Sequence, residues 1–218
     1  MNKIRVLLVE DHAIVCKGLR SLLEGKAEIE VVGEAKDGKE AIEKTQQLLP
    51  DIVLMDIAMP ILNGLEATRQ IKKQLPEVKV LILSMYTNEE YIFHTLQAGA
   101  SGYLVKQASP AELVLAIHAV SRGEFYLSSS ISKEVIKGYI QQEKATGKEE
   151  NYDKLTTRER EVLQLITEDY SNREIAELLY ISVKTVETHR AHLMDKLNIH
   201  STVELTKYAI RKGMISID

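Results

Sequence analysis

The sequence predicts an α/β domain with a doubly wound, five-stranded parallel sheet, followed by a small all-α domain of four helices. Two observations lead to this prediction. Up to about residue 122, short β-branched runs alternate with segments of helical periodicity, which is typical of a parallel sheet covered by helices on both faces. After residue 155 the strand-like runs disappear, and helical segments joined by short turns remain.

Each predicted strand is a short apolar run bounded by polar or turn-forming residues. The five strands are predicted at residues 4–9, 31–35, 52–55, 80–84 and 102–105. Between them, apolar residues recur at helical spacing, as Leu19, Leu22 and Leu23 do in the first helix. The fifth helix has the clearest start, because Ser109-Pro110-Ala111-Glu112 combines the capping-box pattern with proline at the first helical position.

A segment of different character separates the two domains. The serines at 128–130 are typical of a helix N-cap, and the apolar spacing after them predicts a helix. Residues 141–151 are polar throughout and offer too little apolar surface to offset the entropy of ordering, which favours a flexible linker over a solvated helix. We therefore predict one domain at residues 1–125, a linker at 126–152 and a second domain at 153–218.

Composition sets limits on location and partners. The 218-residue chain has a formal net charge of -4. Residues 152–218 contain ten Lys and Arg against eleven Asp and Glu, so any affinity for nucleic acid must come from local placement of positive charge. The single Cys16 excludes an internal disulfide and fits a reducing compartment. With no signal-peptide pattern and no apolar run near the roughly 18 residues of a membrane span, we expect a cytoplasmic protein.

Carboxylates follow two of the predicted strands. Glu10 and Asp11 come directly after the first strand, and Asp56 follows the third. The carboxyl ends of parallel strands meet at one edge of the sheet, where ligands bind in open α/β folds. Three acids there predict a site for a hard cation such as Mg2+, beside a carboxylate able to act as nucleophile. We expect Asp11 and Asp56 as direct ligands, Glu10 through water, and the backbone carbonyl of Ala58 as a further ligand.

Two more polar residues are predicted at the same edge. Ser84 closes the fourth strand and Lys106 closes the fifth. A hydroxyl can donate a hydrogen bond to one phosphoryl oxygen, and an ammonium can neutralise another. Taken singly, an Asp at a strand end is usually a helix cap and a Lys is usually exposed. Five polar residues at the ends of four strands favour a binding site over five unrelated surface positions.

These segments resemble the receiver domain of two-component response regulators. The matching motifs are Val9-Glu10-Asp11-His12, residues 54–60 with Asn63-Gly64, Leu83-Ser84-Met85, and residues 99–106. The resemblance covers about the first 122 residues and implies a flavodoxin-like sheet. It also implies that Asp56 takes a phosphoryl group from a phosphohistidine on a sensor histidine kinase.

The same resemblance implies a role for each polar residue at the sheet edge. Mg2+ is expected on Asp11, Asp56 and, through water, Glu10. Ser84 and Lys106 are expected to sense the new phosphate. Tyr103 is expected to rotate inward as Ser84 moves, although by its pattern alone it is an ordinary strand aromatic.

The last third of the chain is a series of short helices, each with its own start signal. Thr156-Thr157-Arg158-Glu159 and Ser171-Asn172-Arg173-Glu174 both fit the capping-box pattern. Only Tyr180-Ile181-Ser182 separate the second helix from a third at residues 183–197. Two helices joined by a three-residue turn predict a helix-turn-helix, whose second helix enters the major groove of DNA. A plain helical hairpin is the alternative reading of this pattern.

Positive charge around the third helix favours DNA binding over a plain hairpin. This positive rim consists of Arg173, Lys184, Arg190 and Lys196, helped by His189 and His192. It borders a helix face of small and polar side chains that can approach base edges, namely Glu187, Thr188 and Ala191. Glu187 can accept a hydrogen bond from cytosine, although a solvated surface acid is equally consistent, and Thr188 can contact a thymine methyl.

Residues 155–201 resemble the LuxR-type DNA-binding domain, as in Thr157-Arg158-Glu159-Arg160-Glu161-Val162-Leu163 and Lys184-Thr185-Val186-Glu187-Thr188-His189. A receiver followed by this domain is the arrangement of the NarL/FixJ subfamily, so the resemblance covers nearly the whole chain. It implies dimerisation through a last helix at residues 202–212, which Gly213 ends. It also places Glu187, Thr188 and Ala191 where that family reads bases.

The sequence thus predicts a transcription regulator, not an enzyme, that is phosphorylated on Asp56, forms a homodimer and binds a double-stranded DNA operator. One alternative is a phosphotransferase or phosphatase with Asp56 as nucleophile. Phosphatases on similar sheets carry an acidic residue two places after the nucleophile, where this chain has Ala58, which cannot move a proton. Another alternative, a LuxR-type activator that senses a small molecule, needs an apolar cavity in the first domain.

Overall fold

The structure is a computed structural model that describes residues 3–87, 89–128, 131 and 154–211. The chain divides into two compact units, residues 1–144 and 145–218. Of the predicted linker, only residues 126–128 and 131 are described, so its predicted helix and polar stretch lie outside the described residues. The exact domain boundaries stay a prediction.

The described residues of the first unit form a parallel sheet of six strands in the order β2-β1-β3-β4-β5-β6, with helices on both faces. The strands are β1 Ile4–Val9, β2 Ile29–Ala35, β3 Ile52–Met55, β4 Lys79–Ser84, β5 Gly102–Val105 and β6 Tyr126–Leu127. The helices are α1 Ala13–Glu24, α2 Gly38–Leu48, α3 Gly64–Gln74, α4 Glu89–Gln97 and α5 Pro110–Ser121.

The predicted fold class is confirmed, and the sheet extends one strand further than the five predicted. β6 pairs in parallel with β5, so that Tyr126 lies beside Gly102. A strand of two residues is too short for a period-two pattern to be visible, which is why the sequence did not reveal it. β2 also begins two residues earlier than predicted, at Ile29.

Strand side chains alternate between two apolar layers, one on each face of the sheet. Leu7 and Val53 pack in the layer under α2, α3 and α4, whereas Val6, Leu8 and Leu54 pack in the layer under α1 and α5. Successive residues of a strand point to opposite faces. Because helices cover both faces, the strands are almost continuously apolar.

Helix starts fix the backbone near the carboxyl edge of the sheet. A Cβ atom at position 64 would lie 1.8 Å from the backbone oxygen of Asp56, so only glycine fits where α3 begins. Asn63 caps this helix by accepting a hydrogen bond from the N–H of Glu66 at 2.9 Å. Ser109 caps α5 as predicted. The Glu112 carboxylate, which the capping-box pattern would pair with the start of the helix, accepts a hydrogen bond from Ser128.

The second unit contains the four predicted helices within the residues that the structure describes. They are α6 Thr157–Thr167, α7 Asn172–Leu179, α8 Val183–Leu197 and α9 Thr202–Arg211. The predicted end of the last helix and Gly213 lie outside the described residues. Residues 180–182 form the turn between α7 and α8, as the helix-turn-helix prediction requires.

Two capping boxes begin α6 and α7, as predicted. Thr156 accepts a hydrogen bond from the Glu159 N–H, and the Glu159 carboxylate accepts one from the Thr156 N–H. Ser171 and Glu174 repeat this reciprocal pair at α7. Each box satisfies backbone donors that a helix start would otherwise leave without partners.

None of the described helices combines the length and the hydropathy that a membrane span requires.

Candidate functional site

Three carboxylates and an imidazole converge at the carboxyl edge of the sheet. β1 and β3 are neighbours, and the Asp56 N–H donates to the carbonyl oxygen of Val9 at 3.0 Å. The residues that follow the two strands therefore lie side by side. Ligand atoms of Glu10, Asp11, His12 and Asp56 all lie within 4.8 Å of one another. The structure thus brings the three predicted acids together.

Lys106 joins this cluster from the end of β5. Its Nζ atom lies 2.8 Å from Oδ2 of Asp56 and 2.7 Å from Oε2 of Glu10. Both acids are almost fully buried, with 4% of their surface exposed. The three carboxylates outnumber the basic groups beside them, which are the Lys106 ammonium and the His12 imidazole. A divalent cation would neutralise this excess, and carboxylate oxygens are the ligands that Mg2+ prefers.

The cluster shifts the pKa values of its members. Burial raises the pKa of Asp56 to about 6, although the Lys106 ammonium opposes the shift. Glu10 adds to the increase, whereas the Ile57 N–H opposes it from 2.7 Å. Burial favours the neutral amine of Lys106, but Asp56 and Glu10 outweigh burial and raise its pKa. At neutral pH Asp56 is therefore ionised and held against a charged lysine.

Ser84 and Tyr103 lie on the adjacent strands β4 and β5, and both side chains are fully buried. The Tyr86 N–H donates to Oγ of Ser84 at 3.2 Å, and the Tyr103 hydroxyl donates to the carbonyl oxygen of Tyr86 at 2.8 Å. Burial raises the pKa of Tyr103. Tyr103 therefore has the inward orientation that the resemblance associates with movement of Ser84.

Two more residues border the cluster. Ala58, whose backbone carbonyl is a predicted ligand, is half-buried. His12, which was not among the predicted site residues, has its Nδ1 atom 2.8 Å from Oδ1 of Asp11 and 3.1 Å from Oε1 of Glu10. Attraction to Asp11 raises the pKa of His12, although burial opposes the shift. The available signal was its position directly after an acidic pair.

The exposed face of α8 carries the residues predicted to read DNA bases. Lys184, Glu187, Thr188 and Ala191 are all exposed. The opposite face is buried through Val186, Leu193 and Leu197, as the periodicity predicted. The Thr188 hydroxyl donates to the carbonyl oxygen of Lys184 at 2.9 Å. One face of α8 therefore packs in the hydrophobic core of this unit, and the opposite face is exposed to solvent.

The predicted positive rim is less uniform than its composition suggests. Arg173 lies 3.4 Å from Glu177, but both side chains are well exposed. The Arg190 guanidinium donates to Oδ1 of Asn172 at 3.4 Å and to Oγ1 of Thr202 at 2.9 Å. In these contacts neither arginine is paired with a buried acid. The positive charge of both can therefore interact with a DNA phosphate.

Lys196 differs from the other members of the rim. Its Nζ atom donates to both carboxylate oxygens of Glu159, at 2.9 and 2.7 Å, and Glu159 is only 3% exposed. Burial opposes ionisation of Glu159, but Lys196 and the cap at Thr156 lower its pKa overall. The Lys196 charge is therefore balanced within the unit. His189 is half-buried and His192 is exposed.

Comparison with known families matches both units. Residues 6–118 match the family model described as response regulator receiver domain. Residues 153–209 match the model described as bacterial regulatory proteins, luxR family.

Relatives align with the chain over nearly its whole length. The chain is 40% identical over 217 residues to the oxygen regulatory protein NreC of Staphylococcus carnosus (strain TM300), with 97% of this chain and 99% of that protein covered. It is 39% identical over 228 residues to the transcriptional regulatory protein DegU of Brevibacillus brevis, covering 99% and 97%. The structure is similar to that of the RcsB response regulator of Salmonella typhimurium, with a TM-score of 0.63, 27% identity and coverage of 97% and 99%.

Proposed function

Because the chain belongs to the two-component response regulators with a receiver domain and a LuxR-type DNA-binding domain, we propose that phosphorylation of Asp56 controls its binding to DNA. The protein is a transcription regulator, like the regulatory proteins to which it is similar, and it is not an enzyme. The observation that carries the proposal is the buried Asp56 carboxylate, 2.8 Å from Lys106 within an acidic cluster.

Asp56 is the proposed phosphoryl acceptor. One of its carboxylate oxygens attacks the phosphorus of a phosphohistidine on a sensor histidine kinase, and the P–N bond breaks as the new P–O bond forms. Lys106 neutralises one phosphoryl oxygen, because its ammonium is already held at this carboxylate. Ser84 donates its hydroxyl proton to another. Tyr103 responds to Ser84 through the intervening Tyr86 backbone.

The acidic cluster fits Mg2+ as the cofactor. Asp11 and Asp56 would hold the ion directly, Glu10 would hold it through water, and the backbone carbonyl of Ala58 would be a further ligand. When bound, the ion offsets the repulsion between a carboxylate and an incoming phosphoryl group. The excess negative charge of the buried acids over Lys106 supports this choice of cofactor.

The DNA contacts are proposed on α8 and its surroundings. Glu187, Thr188 and Ala191 face the bases, and Lys184 contacts phosphate. Arg173 and Arg190 extend the phosphate contacts, whereas Lys196 contributes less because Glu159 balances its charge. Solved structures of RcsB bound to DNA, including two RcsB dimers on DNA, support a homodimer on duplex DNA. We place the protein in the cytoplasm, where DNA and the kinase domain are both accessible.

Substitution of the acceptor tests this proposal. Asp56→Asn should abolish labelling by acetyl phosphate in Mg2+, because an amide is not a competent nucleophile for forming an acyl phosphate. Intact mass spectrometry of the purified protein measures the covalent phosphoryl group. Asp51→Asn, at the opposite end of β3, is the matched control and should label like the parent. Normal labelling of the Asp56 variant would show that the acceptor lies elsewhere.

A further inference from the structure

The chain that follows α5 returns to the sheet and covers the outer edge of β5. We call Tyr126, Leu127, Ser128 and Ile131 the strap. Leu127 lies opposite Tyr103 in the parallel pairing of β6 with β5, and the Ser128 N–H donates to the carbonyl oxygen of Tyr103 at 3.0 Å. Ile131 is completely buried in the same apolar cluster as Tyr103. The strap is thus docked directly on the strand that carries the switch aromatic.

Side chains hold the strap in addition to this backbone pairing. Ser128 is 2% exposed, and its hydroxyl donates to Oε1 of Glu112 at 2.7 Å. The Tyr126 hydroxyl lies 3.4 Å from the same oxygen. A Cβ atom at Gly102 would lie 2.8 Å from the backbone oxygen of Tyr126, so the two strands approach only because residue 102 is glycine. The β5 edge is therefore shaped to accept this segment.

The strap lies in the part of the chain between the receiver match and the DNA-binding match. The match to the receiver family ends at residue 118, and the match to the DNA-binding family begins at residue 153. A change in its docking therefore alters the start of the segment that connects the two matched regions.

Hydrogen bonds connect the strap to the phosphorylation pocket. The Tyr103 hydroxyl is held by the Tyr86 carbonyl oxygen, and the Tyr86 N–H is held by Oγ of Ser84. Ser84 is an acceptor in this contact, so its own proton can be donated to a phosphoryl oxygen on Asp56. A Ser84 hydroxyl fixed in this way also fixes the Tyr86 backbone and, through it, the buried Tyr103.

We propose that the edge of β5 is an intramolecular docking surface for the strap, and that the strap reads the phosphorylation state of Asp56 through Tyr103. The docked strap and the inward Tyr103 stabilise each other. Phosphorylation therefore tightens docking, and linkage requires that docking favours the phosphorylated pocket to the same degree. The inference rests on the proposed function of Asp56.

Hydrogen exchange of the full chain tests the coupling. Treatment with acetyl phosphate and Mg2+ should slow exchange about tenfold at the amides of Tyr126 and Ser128, which donate to the carbonyl oxygens of Ser101 and Tyr103. This change is within the usual range of coupling between two sites. Tyr103→Phe keeps the ring but loses the hydrogen bond to Tyr86, and should reduce the effect to less than about twofold. Tyr126→Phe is the matched control, because it removes a strap hydroxyl outside this path and should preserve the effect.

Intact mass spectrometry of the same samples separates two kinds of failure. A parent protein that gains no phosphoryl group would overturn the proposed function and this inference with it. A phosphorylated parent with unchanged exchange at the strap would overturn the inference alone. The same conclusion would follow if phosphorylation slowed strap exchange equally in the parent and in Tyr103→Phe.

Discussion

At the scale of single residues, Asp56 is under opposing electrostatic influences. Burial and Glu10 favour its neutral form, whereas Lys106 and the Ile57 N–H favour the carboxylate. The result is a pKa of about 6 in place of 3.8. Because the native state keeps the proton to higher pH than the unfolded chain does, ionisation of Asp56 opposes folding. A nucleophile is thus maintained at a cost in stability.

This cost predicts a pH-dependent gain from a neutral substitute. The destabilisation by Asp56 grows between about pH 4 and pH 6 and is constant above, where it reaches about 3 kcal/mol. Asp56→Asn should therefore raise the free energy of unfolding by up to this amount at neutral pH and by little near pH 4. Urea unfolding followed by circular dichroism measures the difference.

Two further measurements separate this effect from a general change in charge. Glu77→Gln removes an exposed acid from the same unit and should show no comparable gain. Mg2+ should stabilise the parent more than Asp56→Asn, since the ion compensates the buried carboxylate. A gain that is equally large near pH 4 would attribute the stabilisation to something other than ionisation of Asp56.

Ala58 and Tyr86 bear on the lifetime of the phosphorylated state. The resemblance to receiver domains implies that the side chains two places after Asp56 and two places after Ser84 flank the path of the attacking water. Ala58 cannot hydrogen-bond a water, and the half-buried Tyr86 is held at its backbone by Ser84 and Tyr103. Ala58 is therefore not suited to orient an attacking water in line with the phosphorus.

We therefore predict slow self-dephosphorylation, with deactivation left largely to a partner protein. Ala58→Asn should lose its phosphoryl group faster than the parent, because the amide can position a water. Ala58→Val, which adds bulk without a hydrogen-bonding group, is the matched control and should not be faster. The first-order loss of phosphate from purified protein is the measurement. Equal rates for the parent and Ala58→Asn would exclude control of the lifetime at this position.

At the scale of elements, the features that the sequence predicted correctly are those that residues close together in the chain determine. Strand ends carry Asp56 and Lys106, and the caps at Thr156 and Ser171 follow from residues three places apart. The pair of Glu159 with Lys196 joins residues 37 positions apart, so only the packed structure reveals it. β6 was missed for a related reason, since its pairing depends on how α5 returns the chain to the sheet.

The exposed face of α8 allows phosphate contact and base contact to be tested separately. Lys184→Ala should weaken binding to all DNA sequences and reduce the magnitude of its salt dependence by about one, because a single phosphate contact is lost. Thr188→Ala should instead change which base is preferred, with a smaller effect on the salt dependence. Titrations of several DNA duplexes at a series of salt concentrations measure both effects.

Lys154→Ala is the charge control for this comparison, because Lys154 is exposed, belongs to the same unit and lies outside both α8 and the predicted dimerisation helix α9. It should leave the salt dependence unchanged. If Lys184→Ala altered base preference while its salt dependence matched the parent, α8 would sit on DNA in an orientation different from the proposed one.

At the scale of the whole molecule, charge explains why control by phosphorylation is feasible. Residues 152–218 have a slightly negative formal charge, and Lys196 is balanced internally, so few cations remain for phosphate contacts in one copy. Because the electrostatic attraction to DNA phosphates is modest, a single DNA-binding unit binds DNA weakly. Two linked copies bind far better, because the second contact becomes intramolecular once the first is made.

Phosphorylation should accordingly tighten DNA binding by shifting an existing equilibrium toward the dimerisation-competent state. We expect at least about a tenfold increase in affinity for a two-part site, and paired footprints whose centres lie about one helical turn apart or a multiple of it. Footprinting with and without acetyl phosphate at equal salt measures both. Acetyl phosphate should change neither the affinity nor the footprint of Asp56→Asn. An unphosphorylated parent that occupies the same site as a dimer with equal affinity would mean that DNA binding is not what Asp56 controls.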